Sequence, residues 1–169
     1  KNISKKIKNK NLILNQIYNL NKTLINDFGI KKPKLIISGL NPHSGDKGAI
    51  GNEEINLIIP VLKKIRKEGV YIHGPFSADS MINKNNLVNY DCFIFIYHDQ
   101  ALIPFKYISN FSGVNYTGNL DIIRTSPDHG TAYNLVGSKR ISNKSLINNF
   151  KLIKNINLKR INNEKSKKI

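Results

Sequence analysis

Tryptophan is absent from this 169-residue chain, and cysteine and methionine occur once each. With Cys92 alone, no disulfide can close within the chain, so a reducing cytoplasm is the expected setting. No apolar run approaches the ~20 residues that a membrane-spanning helix needs. The Gly-x-Gly-x-x-Gly fingerprint of a Rossmann dinucleotide site is also missing. Acidic residues are few, 11 against 27 basic ones, which gives a formal charge of +16. Only four of the basic residues are Arg; the rest are Lys, in a chain also crowded with Asn and Ile. All three residue types have AT-rich codons, so a mutational bias accounts for the skew. A nucleic-acid site needs charge gathered on one face with aromatic rings to stack on bases. Here the lysines are spread along the chain and densest at its two ends, so neither nucleic acid nor a membrane is expected as a partner.

What is present is an alternation of strand-like and helix-like segments. Ile3, Ile7, Ile13, Ile17, Leu20, Leu24 and Phe28 recur at helical spacing, and Gly29 offers a stop. "KLIISGL" (34–40) is apolar at consecutive positions, as a strand buried on both faces should be. "NPHSGDKGAIG" reads as a loop. "NEEINLIIPVLKKIRKEG" reads as a helix with its charges matched to the helix dipole and with a kink or late start at Pro60. "VYIHG" is a short strand, "SADSMIN" a short helix and "DCFIFIYH" a strand. "DQALIPFKYI" is helical or irregular around Pro104. "GVNYT" and "DIIRT" read as short strands, and 142–161 as a closing helix. The pattern predicts an α/β fold with a mostly parallel sheet flanked by helices.

In open α/β sheets, ligands bind beyond the carboxyl ends of the strands. All four histidines, His43, His73, His98 and His129, fall at or just past predicted strand ends. His43 sits in a Gly/Pro/Asn loop. Asp99 after His98 is placed either to orient the imidazole or to cap the next helix. His73 reads as a packing residue. His129, in "SPDHGTA", suits either close approach to a ligand or an ordinary turn. Two histidines on neighbouring strand ends could bind a divalent metal, given a third protein ligand or a chelating substrate. Lys106, Asn115 and Arg124 form a second set, suited as an anion clamp to phosphate or carboxylate. Arg124 is the most telling of them, because a composition that drifts toward Lys has kept an Arg there.

Taken together, "GLNPHSGDKGAIGNEE", "IIPVL", "GPFSAD", "YHDQ", "PFK", "GVN" and "IRTSPDHGTA" occur in the order found in the 4-hydroxythreonine-4-phosphate dehydrogenases of pyridoxine biosynthesis. The chain resembles that family over roughly Ile13 to Asn149. The resemblance implies an isocitrate/isopropylmalate-dehydrogenase-like fold of two α/β lobes and an obligate homodimer with a shared active site. It implies NAD or NADP and a divalent metal (Zn, Mg or Co) as cofactors. The implied reaction oxidises and decarboxylates 4-phosphohydroxy-L-threonine to 3-amino-2-oxopropyl phosphate on the route to pyridoxal phosphate. Residue by residue, His43 and His98 match two of three metal-ligating histidines. Lys106, Asn115 and Arg124 match substrate-binding positions. Asp79 in "SAD" matches an acidic position near the reacting centre, making Asp79 and Lys106 the expected catalytic pair. Asp128, His129, Gly130, Thr131 and Ala132 match the loop that holds the nucleotide.

The chain departs from the family's pattern at Ala101, usually Gly, at "TGNLDIIRT", usually a Leu-Gly-Leu-Pro-Phe stretch, and at "VGSKRISN", which lacks a second Gly. The third metal histidine would fall before Lys1, and the first residues already read as helix interior. The expectation is therefore the C-terminal half of a longer polypeptide. Residues 1–141 would form the second lobe, and 142–169 a helix and basic tail packing toward the first lobe. On its own such a chain is expected to be inactive. The alternatives are a sister dehydrogenase acting on phosphothreonate or phosphoerythronate, or a non-catalytic remnant that keeps the fold.

Overall fold

The computed structural model describes residues 9–130, 133, 136–138 and 142–166. Ile3 and Ile7 of the first expected helix lie outside them. Helix α1 (Lys10–Asn26) begins where the Asn9 side chain accepts a hydrogen bond from Leu12 N at 3.1 Å. It is followed by Gly29 at φ +71°, the left-handed stop that glycine takes without a Cβ clash. Strand β1 (Leu35–Ser38) is buried at all four positions, which is why its sequence is apolar without alternation. A left-handed turn follows over Pro42–Gly48, then a π-helical turn (Glu54–Ile58) that runs into α2 (Ile59–Lys67). Pro60 lies in the first turn of α2, so the late start expected at that residue is what the chain adopts.

Strand β2 (Ile72–Phe76) leads to two short helices, α3 (Ala78–Met81) and α4 (Lys84–Asn89). The second was not foreseen, although the Asn83 side chain that accepts from Asn86 N is an ordinary capping signal. Strand β3 (Cys92–Ile94) is shorter than the expected run to His98. Four residues earlier the ladder stops, and helix α5 (His98–Ser109) begins at that histidine and continues through Pro104. Strands β4 (Val114–Thr117) and β5 (Arg124–Pro127) pair antiparallel, and α6 (Lys144–Ser166) closes the described chain.

The three-stranded sheet has the order β2-β1-β3, with both pairings parallel. Leu35 and Ile37 point to one face, where Ile17 and Leu24 of α1 and Ile58, Val61, Leu62 and Ile65 of the π-α2 segment cover them. Arg66 turns back over the outer edge of β2, donating to Ile72 O at 2.7 Å and Gly74 O at 2.8 Å. Those carbonyls are thereby withheld from pairing with another strand. Helix α6 packs on the β4–β5 hairpin and reaches α1. Trimming one methyl from the fully buried Ile65, as Ile65→Val, is expected to cost about 1 kcal/mol in urea unfolding.

Candidate functional site

The strand order creates the site. From β1 the chain crosses to β2 on one side of the sheet and later to β3 on the other, so β1 and β3 are neighbours whose onward connections diverge. A crevice opens at such a switch point, outside the carboxyl ends of the strands. Ile37 and Ile94 pair at those ends. The loop after β1 carries His43, and the segment after β3 carries His98. Both side chains are exposed. Asp79, in the first turn of α3 after β2, is exposed at the same end of the parallel sheet.

His98 Nδ1 lies 2.7 Å from Asp99 Oδ1. Tyr97 at the helix start makes no side-chain capping bond, so of the two roles open to Asp99 the structure shows ring orientation. With Nδ1 engaged, Nε2 is the ring nitrogen left for a ligand, the arrangement that metal-bound imidazoles use. Among the described residues, however, no group of three His, Cys, Asp or Glu side chains is gathered as a metal site. The donors this chain supplies do not close a coordination shell by themselves.

The second set is built around the hairpin. Thr117 pairs with Arg124 and Asn115 with Ser126, which puts Asn115 and Arg124 on one face of the ribbon. Arg124 Nη1 donates to Thr117 Oγ1 at 2.8 Å across that face. Lys106 stands eight residues after His98, ~12 Å further along α5. Its ammonium contacts both carboxylate oxygens of Asp128, just past β5, at 3.3 Å. Lys106, expected at the substrate, and Asp128, expected at the nucleotide, are thus paired with each other, a contact that their spacing in sequence does not announce. The Asp128 amide is itself held by Ser145 Oγ of α6 at 3.1 Å. His129 and Gly130 are exposed beyond it, and Thr131 and Ala132 lie outside the described residues.

His73 is engaged elsewhere: Nδ1 meets the Tyr90 hydroxyl at 2.6 Å, and its ring lies 4.8 Å from that of Tyr71. This is the packing role read for it from the sequence. Buried Glu54, which the sequence pattern does not single out, accepts hydrogen bonds from Leu40 N and Asn41 N beside the His43 loop. The available signal is the acidic pair in "GNEE". Gln100 of "YHDQ" bridges the ends of β1 and β3.

A parallel sheet with helices, polar loops at one end and an attached hairpin defines an α/β lobe of the isocitrate-dehydrogenase-like kind. Its similarity to solved dehydrogenases agrees. A 4-hydroxythreonine-4-phosphate dehydrogenase from Burkholderia phymatum superposes with a TM-score of 0.71 at 32% identity, over 91% of this chain and 47% of that one. The family profile "Pyridoxal phosphate biosynthetic protein PdxA" matches residues 1–153, and the chain belongs to that family. The 4-hydroxythreonine-4-phosphate dehydrogenase of Bradyrhizobium diazoefficiens is 47% identical over 120 residues, 71% of this chain and 35% of the relative. That of Bacteroides thetaiotaomicron is 41% identical over 136 residues, 80% of this chain and 37% of the relative. The chain thus spans little more than a third of the length of these curated relatives. Among the described residues, no helix is long and apolar enough to cross a membrane.

Proposed function

We propose that the chain supplies one lobe of an NAD- or NADP-dependent 4-hydroxythreonine-4-phosphate dehydrogenase, with residues 1–141 as that lobe and 142–169 as its closing helix and tail. The reaction is oxidation and decarboxylation of 4-phosphohydroxy-L-threonine to 3-amino-2-oxopropyl phosphate, in the cytoplasm, by a homodimer with a shared site. The observation that carries this reading is the position of His43 and His98 on the two segments flanking the β1/β3 switch point, in a chain of the PdxA family.

His43 and His98 would hold a divalent metal, completed by ligands from the substrate or from a further protein segment. When bound, the metal supplies a Lewis acid for the developing oxyanion, and the nicotinamide supplies the hydride acceptor. Asp79, exposed at the same sheet end, takes the proton of the substrate hydroxyl. Asn115 and Arg124, sharing a hairpin face, hold the phosphate, Arg124 through its planar fork of donors. Lys106, steadied by Asp128, binds the substrate's anionic group and returns a proton after CO₂ has left. Asp128, His129, Gly130, Thr131 and Ala132 border the nucleotide.

The test is a chimera in which the chain follows the first portion of the Bacteroides thetaiotaomicron relative, the portion outside the matched segment. It is expected to reduce NAD or NADP with 4-phosphohydroxy-L-threonine and a divalent metal, while the 169 residues alone give no turnover. A folded chimera that reduces neither nucleotide with this substrate overturns the reading. A higher kcat/KM with phosphothreonate or phosphoerythronate assigns the sister reaction instead.

A further inference from the structure

The segment joining β1 to the His43 loop is held from two sides by side chains that take no direct part in the proposed chemistry. On one side is Glu54, only 1% exposed. Its Oε1 accepts from Leu40 N at 2.7 Å and Asn41 N at 2.8 Å, and its Oε2 accepts from Asn41 Nδ2 at 2.9 Å. Among the described residues, no Lys or Arg forms an ion pair with it. Burying a carboxylate without a counter-charge is costly unless N–H groups take over its solvation, and here three of them do. Two glycines close on it: a Cβ on Gly39 would stand 2.8 Å from Oε1, and one on Gly45 2.6 Å from Oε2. The "GLNPHSG" stretch is therefore shaped around this one carboxylate.

On the other side is Gln100, two residues after His98. Its Oε1 accepts from Ser38 Oγ and from Ile96 N, both at 3.1 Å, and its Nε2 donates to Gly39 O at 3.0 Å. Ser38 ends β1, Gly39 follows it, and Ile96 follows β3. One amide thus ties both margins of the crevice together, just where the ladder between these strands stops.

The loop so anchored is under strain. His43, Ser44, Asp46 and Lys47 all have φ between 41° and 53°, the left-handed region. Non-glycine residues there cost roughly 1–2 kcal/mol each. Such backbone persists only where its surroundings over-determine it. Ser44 Oγ adds a bond to Pro75 O at 3.3 Å, but the anchor at the base of the turn is Glu54.

We infer that Glu54 and Gln100 are positioning residues: Glu54 fixes the turn that presents His43, and Gln100 fixes the start of α5 that presents His98. Their importance to catalysis rests on the proposed reading of the two histidines as metal ligands, whereas their effect on ring placement does not. The experiment follows the histidine ring resonances of the ¹⁵N-labelled 169-residue chain, with and without zinc. In Glu54→Met, which keeps the volume but offers no acceptor, the His43 signals are expected to shift and broaden while those of His73 stay in place. Glu54→Gln keeps an acceptor oxygen for Leu40 N and Asn41 N and is expected to return His43 to its wild-type signals. Gln100→Leu is expected to displace His98 in the same way. In a zinc titration of the chimera, where the remaining ligands are present, the Met and Leu variants are expected to bind at least tenfold more weakly than wild type. His43 signals that stay unchanged in Glu54→Met, or that move equally in the Met and Gln variants, overturn the role of Glu54. If Glu54→Met does not fold, Gln100→Leu carries the test, and unmoved His98 signals overturn the inference. A chimera that binds no zinc, while the ring signals of the chain follow the expected pattern, refutes the metal reading and supports the positioning role.

Discussion

Replacing His98 with alanine in the chimeric enzyme is expected to lower kcat/KM about a thousandfold or more. A bound metal stabilises the developing oxyanion by several kcal/mol, and each 1.36 kcal/mol is tenfold in rate. Losing the ring at the head of α5 removes one ligand from a site to which this chain contributes only two of the proposed donors. Asp99→Asn separates this role from a general disturbance of the helix. Asp99 holds His98 Nδ1 at 2.7 Å, and loss of such an orienting partner typically costs 10–100-fold. The expected order is therefore His98→Ala far below Asp99→Asn, which lies below wild type. His73→Ala serves as the control, because His73 is engaged by Tyr90 and Tyr71 away from the crevice. Its kcat/KM is expected to stay at the wild-type level. A His98→Ala enzyme with wild-type kcat would remove this histidine from the site. Equal losses in His98→Ala and His73→Ala would show that the assay reads folding rather than chemistry.

The sequence made the sheet and its helices readable where burial dictates pattern. β1 is apolar throughout because it is the central strand, covered on both faces. Gly29 ends α1 because a left-handed residue is needed there. The parallel arrangement then puts the segments bearing His43, Asp79 and His98 at one end of the sheet without any distance being known. What escaped was set by contacts distant in sequence or by strain. β3 stops early because Ile96 N bonds to a side chain, Gln100, instead of to a neighbouring strand. No residue preference announces a left-handed path through His43, Ser44, Asp46 and Lys47; tertiary bonds impose it. The Lys106–Asp128 pair joins residues 22 apart on different elements, and the Arg160–Asp27 pair joins residues 133 apart. Neither spacing leaves a periodic signal.

That last pair carries the largest stability effect expected of a single polar substitution. Asp27, 4% exposed at the end of α1, accepts from Arg160 Nε at 2.7 Å and Nη2 at 3.1 Å, and also from the Tyr116 hydroxyl of β4. Arg160 Nη1 donates further to Asp121 O at 2.8 Å. Three elements, α1, the hairpin and α6, are thus joined through one carboxylate, and the hairpin among them bears Asn115 and Arg124. Asp27→Ala leaves the Arg160 guanidinium half-buried without its partner and is expected to cost about 3 kcal/mol. In urea at neutral pH, with m near 2 kcal/mol/M, the midpoint falls by roughly 1.5 M. The pH dependence gives a second reading. Burial alone pushes the Asp27 carboxyl up, but the Arg160 and Tyr116 hydrogen bonds and the Arg160 charge outweigh it and hold the group below its ordinary value. A lowered folded pKa stabilises the protein above the unfolded value of about 3.9, and that contribution is lost as pH falls further through the folded value. The difference between wild type and Asp27→Ala is therefore expected to be full at pH 7 and to shrink below about pH 4. At the alkaline end, burial and the bond to Asp27 push Tyr116 up to about 12. A raised folded pKa contributes fully below the unfolded value of about 10 and is lost as pH rises through about 12. Tyr18, bonded to Glu68, is also raised to about 12, so the alkaline series is compared in Tyr116→Phe and Tyr18→Phe separately. The bond between the Tyr18 hydroxyl and Glu68 is exposed, so solvent screens it, and most of the alkaline slope is expected to vanish with Tyr116→Phe. A gap between wild type and Asp27→Ala that stays constant from pH 7 to pH 2 would show that Asp27 stabilises by packing and not by charge.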